Sequence, residues 1–262
     1  MKLTYLITAL TVMILVVGCQ SVDLNRVGSL LKNTSTLIGN NDKKEVEVGT
    51  GMAARLVDVA PVVEDADLQE KVNLIGTWLA LHLDKEASAF EWRFGVVESA
   101  DVNAFATPAG YILVTRGLIE KLNDDHELAG VIAHEMNHVV KRHYVKGIKL
   151  QAGIGLAGDL ASMSTDNKKY QKRIDKAASA GTELWSRGLD KNLEFECDRN
   201  AVVLSARSGY DPYGLVAVLQ TLEAMDPGDS SLALLYKSHP KPTERLQKLT
   251  QAMEGSPQLA GL

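Results

Sequence analysis

The chain has 262 residues, of which 45% are hydrophobic and 23% charged, a composition typical of a folded globular protein and not of a disordered or multi-span membrane protein. Lys and Arg number 28 against 33 Asp and Glu, which gives a net charge of −5 at pH 7. This acidic balance argues against a nucleic-acid-binding surface, so we expect no nucleic acid among the partners.

The N-terminal segment has the composition of a targeting signal. Lys2 precedes an apolar run from Leu6 to Val17 that is too short to span a bilayer comfortably, which predicts a signal peptide over residues 1–18. Gly18-Cys19 follows and resembles the bacterial lipobox, which implies that Cys19 is acylated and anchors the chain through lipid. Because Gln20 and not Asp comes next, we expect the periplasmic face of the outer membrane. The alternative is a secreted protein cleaved at another small residue.

The next segment is predicted to link this anchor to a folded body. Ser21 to Gly51 is polar and rich in Ser, Asn, Thr, Gly and Lys, with at most one short helix near Val27 to Leu37. We therefore assign residues 19–60 to a lipidated N-terminus and tether, residues 61–255 to one domain, and residues 256–262 to a C-terminal tail.

The domain begins with a helix and a small sheet. Asp65 to Leu83 carries apolar residues at spacings of three and four, which predicts an amphipathic helix. Three β-rich runs follow, at Trp92 to Val97, Asn103 to Ala106 and Tyr111 to Thr115. The turn composition of Thr107 to Gly110 joins the last two, so we predict a small antiparallel sheet.

Long helices make up the rest of the domain. A residue from Asn123 to Asp125 caps a helix whose apolar positions run from Leu128 to Val139, and Gly147 ends or bends it. Ile148 to Met163 is too short and too polar for a membrane span and is predicted to be a hairpin over the core. The fold class is therefore α+β and mostly helical. Further helices are predicted at residues 175–208, from Asp211-Pro212, and at Thr243 to Met253.

The helix after Asp125 contains the motif His134-Glu135-Met136-Asn137-His138. Histidines four apart project from one helix face about 6 Å apart along the axis, so both can bind one Zn²⁺. Glu135 lies ~100° round the helix, which suits a general base and not a third ligand. A bound metal lowers the pKa of a water molecule towards ~7 and polarises a scissile carbonyl, while a carboxylate moves the proton. The alternative, a chance motif on a solvated helix, conflicts with the apolar flanks.

A second acidic stretch can complete the metal site. Glu194 and Asp198 are four apart and share a helix face, whereas Glu196 points elsewhere. We assign Glu194 as the third ligand and Asp198 as the carboxylate that accepts a hydrogen bond from a ligating imidazole. Alone, this stretch would be better explained as a solvated acidic face.

With these residues the chain resembles the zinc endopeptidases that include HtpX and the CAAX prenyl proteases, and especially their small lipid-anchored bacterial members. The resemblance covers roughly residues 60–250. Four segments carry it: Asn103 to Ala106 with Gly110 to Gly117, Glu127 to His138, Glu194 to Asp198, and Ser238-His239-Pro240.

The resemblance implies a zincin-like fold with one Zn²⁺ bound by His134, His138 and Glu194, with Glu135 as base and Asp198 supporting a ligand. It also implies that Asn103, Ala104, Phe105 and Ala106 form an edge strand beside the cleft. Unpaired N–H and C=O groups of such a strand can hold any extended peptide. Integral members of this family have membrane helices between the two metal-binding helices, which this chain lacks in sequence.

Three further residues lie in or near these motifs. His239 either approaches the metal as a fourth ligand that closes the site, or donates to the developing oxyanion, or is an ordinary loop histidine. Cys197 stands where the family more often has Ala and is predicted to be a small buried hydrophobe. His143 is nine residues beyond His134, about half a turn round the helix, and is therefore a poor ligand candidate.

The predicted function is that of a periplasmic zinc endopeptidase whose substrates are misfolded or unassembled envelope proteins. A first alternative is a lipid-anchored chaperone or assembly factor whose zinc site is structural or latent. A second is another zinc hydrolase, such as an amidase acting on cell-wall peptides. The sequence leaves the oligomeric state open.

Overall fold

The structure is a computed structural model that describes residues 43–84, 87, 90–152 and 167–254. The predicted signal peptide, Cys19 and the tail at residues 256–262 lie outside these residues, as does most of the predicted hairpin at residues 148–163. Within the described ranges, no helix is both long and apolar enough to cross a membrane.

The first described helix, α1 (Lys43–Val59), corrects the predicted tether. Residues 43–59 were assigned to the tether because their composition is polar, but Val48, Met52 and Leu56 recur with helical spacing. Val48 and Met52 are buried in the core, and α1 packs against a later helix, Asn167–Arg187. Residues 43–59 therefore form a packed helix, which the polar composition of the segment did not predict.

The second helix, α2 (Ala66–Leu81), confirms its prediction. Asp65 caps it, with its carboxylate accepting a hydrogen bond from the Leu68 N–H at 3.0 Å. The buried face of Val72, Ile75 and Leu79 packs against the first strand of the sheet.

The sheet has three strands, β1 (Arg93–Val97), β2 (Ala104–Ala106) and β3 (Tyr111–Thr115), in the order β1-β3-β2. The β2–β3 pair is antiparallel, as predicted, with Phe105 opposite Leu113. The β1–β3 pair is parallel, with Gly95 opposite Leu113, so the prediction of a wholly antiparallel sheet was wrong. The chain reverses once between β1 and β2 and again between β2 and β3, which restores the direction of β1 in β3.

A short helix, α3 (Arg116–Ile119), leads to the central helix α4 (Asp125–Val140), which Asp124 caps through the Glu127 N–H at 2.9 Å. Every residue from Glu127 to Val139 is buried. The helix ends at Val140, before Gly147, because Arg142 adopts a left-handed conformation with φ of 56°. A new helix, α5 (His143–Ala152), begins directly afterwards.

The C-terminal helices surround α4. The predicted helix at residues 175–208 is two helices, because Gly188 has φ of 79° and a Cβ there would lie 2.7 Å from the Ser238 carbonyl oxygen. The elements are α6 (Asn167–Arg187), α7 (Lys191–Arg207), α8 (Gly214–Ala224), a 3₁₀ turn (Ser230–Leu232), α9 (Ala233–Ser238) and α10 (Pro242–Glu254).

Helix α4 packs against α2, α7, α8 and β2, so it lies at the centre of one hydrophobic core. Its contact with α8 is close because glycines occupy both sides. A Cβ on Gly130 would lie 2.6 Å from the Leu215 nitrogen, and one on Gly214 would lie 2.2 Å from the His126 carbonyl oxygen. The α+β, mostly helical class is confirmed, and its central helix carries the His-Glu-x-x-His motif.

Candidate active site

Three side chains from α4 and α7 bring their donor atoms together in the core. His134 Nε2 lies 3.2 Å from His138 Nε2 and 3.5 Å from Glu194 Oε2, and His138 Nε2 lies 3.5 Å from Glu194 Oε1. The side chains are at most 4% exposed. Four-residue spacing on α4 places both imidazoles on one face, and α7 supplies the carboxylate opposite them.

These distances fit one metal ion. Zinc bonds of about 2.0–2.2 Å in a tetrahedral arrangement separate the ligand atoms by roughly 3.3–3.6 Å. Among the described residues, Glu194 Oε1 has no hydrogen-bond partner although it is buried. A buried carboxylate oxygen that accepts no hydrogen bond is costly unless a cation compensates it. The donor set of two histidines and one carboxylate is also one that zinc uses in catalytic sites.

Asp198 lies where the sequence placed it, against a predicted ligand. Its Oδ1 is 2.8 Å from His134 Nδ1, so this carboxylate accepts the hydrogen bond of the ring nitrogen that faces away from Glu194. The contact fixes the orientation of the imidazole and leaves Nε2 aimed at the cluster.

A further residue of the site, Arg245, was not predicted from the sequence. It lies on α10 and is 5% exposed. Its Nε donates to Asp198 Oδ2 at 3.0 Å and its Nη2 to Asp198 Oδ1 at 2.5 Å, while Nη2 also lies 3.2 Å from His134 Nδ1. One signal was present: Arg245 precedes the buried Leu249 and Met253 at four-residue intervals, so a cation occupies an apolar-face position.

Burial and charge shift the pKa values of this cluster in the metal-free chain. Burial and Arg245 lower the pKa of His134, but the hydrogen bonds and charges of Asp198 and Glu194 outweigh them and raise it to about 9. Burial lowers the pKa of His138 well below its ordinary value. Burial raises the pKa of Glu194, yet His239, His138 and His134 hold it well below its usual range.

Glu135 lies beside the cluster and is 2% exposed. Its Oε2 has no hydrogen-bond partner among the described residues, and burial raises its pKa above the ordinary carboxyl value. A carboxylate with a raised pKa and a free oxygen is suited to taking up and releasing a proton.

His239 follows α9 and joins the cluster, so it is not a surface loop residue. Its Nδ1 lies 2.6 Å from Glu194 Oε2, and the residue is 8% exposed. Donor atoms of His134, His138, Glu194 and His239 all lie within 4.8 Å of one another. The structure thus brings a third histidine to the predicted ligands as the fourth residue of the cluster.

The first two residues of the predicted edge strand, Asn103 and Ala104, lie at the site. β2 is an edge of the sheet, and Asn103 and Ala104 line the cavity that reaches Glu135. Phe105 instead packs against the Trp185 ring at 5.2 Å, and the Ala106 carbonyl accepts a hydrogen bond from the Trp185 indole at 3.2 Å. The outward backbone of β2 is therefore partly occupied by α6.

The cavity beside Glu135 has about 380 Å³ of space, counting its opening to solvent, and a mostly aliphatic wall. Helix α8 contributes four of its residues on one face, at helical spacing. The apolar lining consists of Ala104, Leu118, Val131, Leu215, Val218, Leu219, Leu222 and Leu235, and the polar lining of Asn103, His134, Glu135, His239 and Arg245.

Two residues flank His138 on its far side. His143 Nδ1 lies 3.2 Å from His138 Nδ1, and Cys197 Sγ lies 3.5 Å from the same His143 atom. Cys197 is fully buried, as predicted, and burial raises the pKa of its thiol well above the ordinary value. Burial also lowers the pKa of His143.

The fold and the site define a class of protein. Two histidines four residues apart on a buried helix, a glutamate beside the first, and a carboxylate from a second helix are the arrangement of zincin-like metallopeptidases.

Comparison with known proteins supports this class and identifies the family within it. The model of peptidase family M48, a family of metal-dependent peptidases, matches residues 64–253, and the chain belongs to this family. It is 27% identical over 210 residues to the β-barrel assembly-enhancing protease of Escherichia coli K12, covering 78% of this chain but 42% of that protein.

Two other relatives in Escherichia coli K12 are closer in length. The chain is 27% identical over 255 residues to metalloprotease LoiP, covering 97% of this chain and 98% of LoiP. It is 32% identical over 160 residues to metalloprotease YcaL, covering 60% of each. Family and relatives together support a metalloendopeptidase.

Proposed function

We propose that the chain is a zinc-dependent endopeptidase of the bacterial cell envelope that cleaves misfolded or unassembled envelope proteins. The observation that carries the proposal is the mutual distance of 3.2–3.5 Å among His134 Nε2, His138 Nε2 and the two Glu194 oxygens. We assign these three residues as ligands of one zinc ion, and Glu135 as the general base.

Each residue of the site has a separate role in the proposed reaction. A bound Zn²⁺ supplies Lewis-acid polarisation of the scissile carbonyl and lowers the pKa of water. Glu135 takes a proton from the attacking water and returns it to the departing amine, which its raised pKa favours. Asp198 holds the His134 ring in place, and Arg245 holds Asp198 through two hydrogen bonds. His239 is placed either to close the site or to donate to the developing oxyanion.

The substrate class is proposed from the first half of β2 and the cavity. Asn103 and Ala104 lie at a sheet edge beside Glu135. The Asn103 N–H and C=O already pair with Thr115, so an extended peptide would add a strand through the outward backbone groups of β2 from Ala104 onwards. The aliphatic cavity accepts an apolar side chain of that peptide. Unfolded protein offers both features, whereas a folded protein conceals them.

The envelope location is proposed from the sequence and from one relative. The apolar run and Gly18-Cys19 support export and a lipid anchor on the periplasmic face of the outer membrane, as in the small bacterial members that the motifs resemble. A relative whose name assigns it to β-barrel assembly supports substrates in the same compartment. Residues 19–42 would then form the tether, and residues 43–255 the domain.

The proposal is tested by digestion of fluorescein-labelled casein with the zinc-loaded chain from residue 20 onwards. Glu135→Gln should lower the rate by about 10²–10⁴-fold because it removes the base. Glu70→Gln, an exposed position on α2, is the matched control and should cleave as the wild type does. A Glu135→Gln variant as fast as the wild type would refute the assignment.

One contact favours the alternative of a chaperone with a latent site. The 2.6 Å distance from His239 Nδ1 to Glu194 Oε2 brings a third histidine against a proposed metal ligand, where it can block the approach of substrate. If the site is latent, the wild type prevents aggregation of an unfolded protein without cleaving it, and His239→Ala gains proteolysis. If His239 assists the open enzyme, the same substitution lowers proteolysis.

A further inference from the structure

His143 lies outside the His-Glu-x-x-His motif but contacts one of its histidines, which helical spacing did not predict. If α4 continued past Val140, residue 143 would lie ~140° round the helix from residue 138, pointing away from it. The left-handed conformation of Arg142 ends the helix instead and turns the first residue of α5 back. This turn brings two buried imidazoles together at 3.2 Å between their Nδ1 atoms.

The geometry determines which atom of His138 is available for the metal. Its Nε2 faces His134 and Glu194, and its Nδ1 faces His143. An imidazole that binds a metal through Nε2 carries its hydrogen on Nδ1, and that N–H needs an acceptor. The Nδ1 of His143 is an acceptor when this second ring carries its hydrogen on Nε2.

The surroundings of His143 accommodate that tautomer. Its Nε2 has no hydrogen-bond partner within the described residues and lies 3.8 Å from Glu196 Oε2. A hydrogen on Nε2 therefore points towards a carboxylate, which Lys141 also contacts at 3.0 Å. The helical spacing directs Glu196 away from Glu194. Glu196 thus lies on the side of His143 that faces away from His138.

We propose that His143 is a positioning residue for the metal site: its Nδ1 accepts the hydrogen bond that His138 donates, so that His138 Nε2 stays aimed at the metal. His143 does for His138 what Asp198 does for His134. The two supports differ in charge. Asp198 is an anion whose charge Arg245 balances, whereas a neutral imidazole adds no anion to a site that already holds Glu194. This inference rests on the proposed zinc site.

The first test is the zinc dissociation constant, measured by competition with a chromophoric chelator. His143→Leu fills similar volume without an acceptor and should weaken zinc binding about 10–100-fold. His143→Asn keeps an acceptor oxygen at the position of Nδ1 and should restore affinity to within about threefold. Cys197→Ala removes the other neighbour of that atom and serves as the matched control, with affinity unchanged. Equal affinity in His143→Leu and wild type would overturn the role.

The second test needs no variant and therefore does not depend on whether His143→Leu folds. In the zinc-loaded wild type, two-bond ¹H–¹⁵N spectra should report the Nε2–H tautomer of His143 and a slowly exchanging proton on His138 Nδ1. A His143 hydrogen on Nδ1 would overturn the proposal while leaving the zinc site intact. A wild-type chain that binds no zinc would instead refute the metal site itself.

Discussion

The pair formed by Arg245 and Asp198 allows a quantitative prediction for Arg245→Met. Both side chains are at most 6% exposed and are joined by two hydrogen bonds, so the variant leaves Asp198 as a buried charge without its guanidinium. Removing one partner of a buried pair costs about 3–5 kcal/mol. We expect the lower end, because Asp198 keeps its 2.8 Å contact with His134. For a domain of this size the melting temperature should fall by about 6–12 °C.

The assay is thermal unfolding followed by circular dichroism, with a chelator present so that metal binding does not contribute. Lys248→Met, an exposed position on the same helix, is the matched control and should change stability by at most about 0.5 kcal/mol. The double variant Arg245→Met with Asp198→Asn should be more stable than Arg245→Met alone, because it also removes the uncompensated charge. A single variant that loses less than about 1 kcal/mol, or strictly additive effects, would refute the reasoning.

Three further predictions concern the site. Glu135→Gln should stabilise the metal-free chain by about 0.5–2 kcal/mol while lowering proteolysis about 10²–10⁴-fold, because it replaces a buried ionisable carboxyl with a neutral amide; paired melting and casein assays check this. In the metal-free chain the pKa of His134 is about 9 against 6.5 unfolded, so its stabilising effect is complete below pH 6.5 and is lost as pH rises through about 9. A pH series of melting temperatures should show this decline, and Asp198→Asn should flatten it. Leu222→Phe narrows the cavity and should reduce cleavage beside Leu or Phe at least about tenfold more than beside Ala, as mass spectrometry of peptide products can measure.

The site was predictable where spacing alone determines placement. Histidines four residues apart share a helix face in any intact helix, so the positions of His134 and His138 relative to each other followed from the sequence. Glu194 and Asp198 were selected in the same way. The contact of His143 with His138 was not predicted, because a continuous helix was assumed and the break at Arg142 has no glycine or proline to announce it.

The fold was predictable in its elements and less so in their connections. The caps at Asp65 and Asp124 mark the starts of α2 and α4. The parallel β1–β3 pair depends on how the chain crosses between strands, which periodicity does not report. Helix α1 was missed because its exposed face is polar enough to give the whole segment the composition of a linker.

The glycine contacts between α4 and α8 determine which wall of the cavity can yield. Gly130 and Gly214 bring the backbones so close that no side chain fits between them, so the α8 wall is fixed to the helix that carries Glu135. A bulky substrate residue cannot gain room by pushing α8 away without separating two main chains. Expansion is therefore expected where Leu235 of the short helix α9 and the following His239 line the cavity. Entry of a bulky substrate side chain would then displace His239 in the same movement.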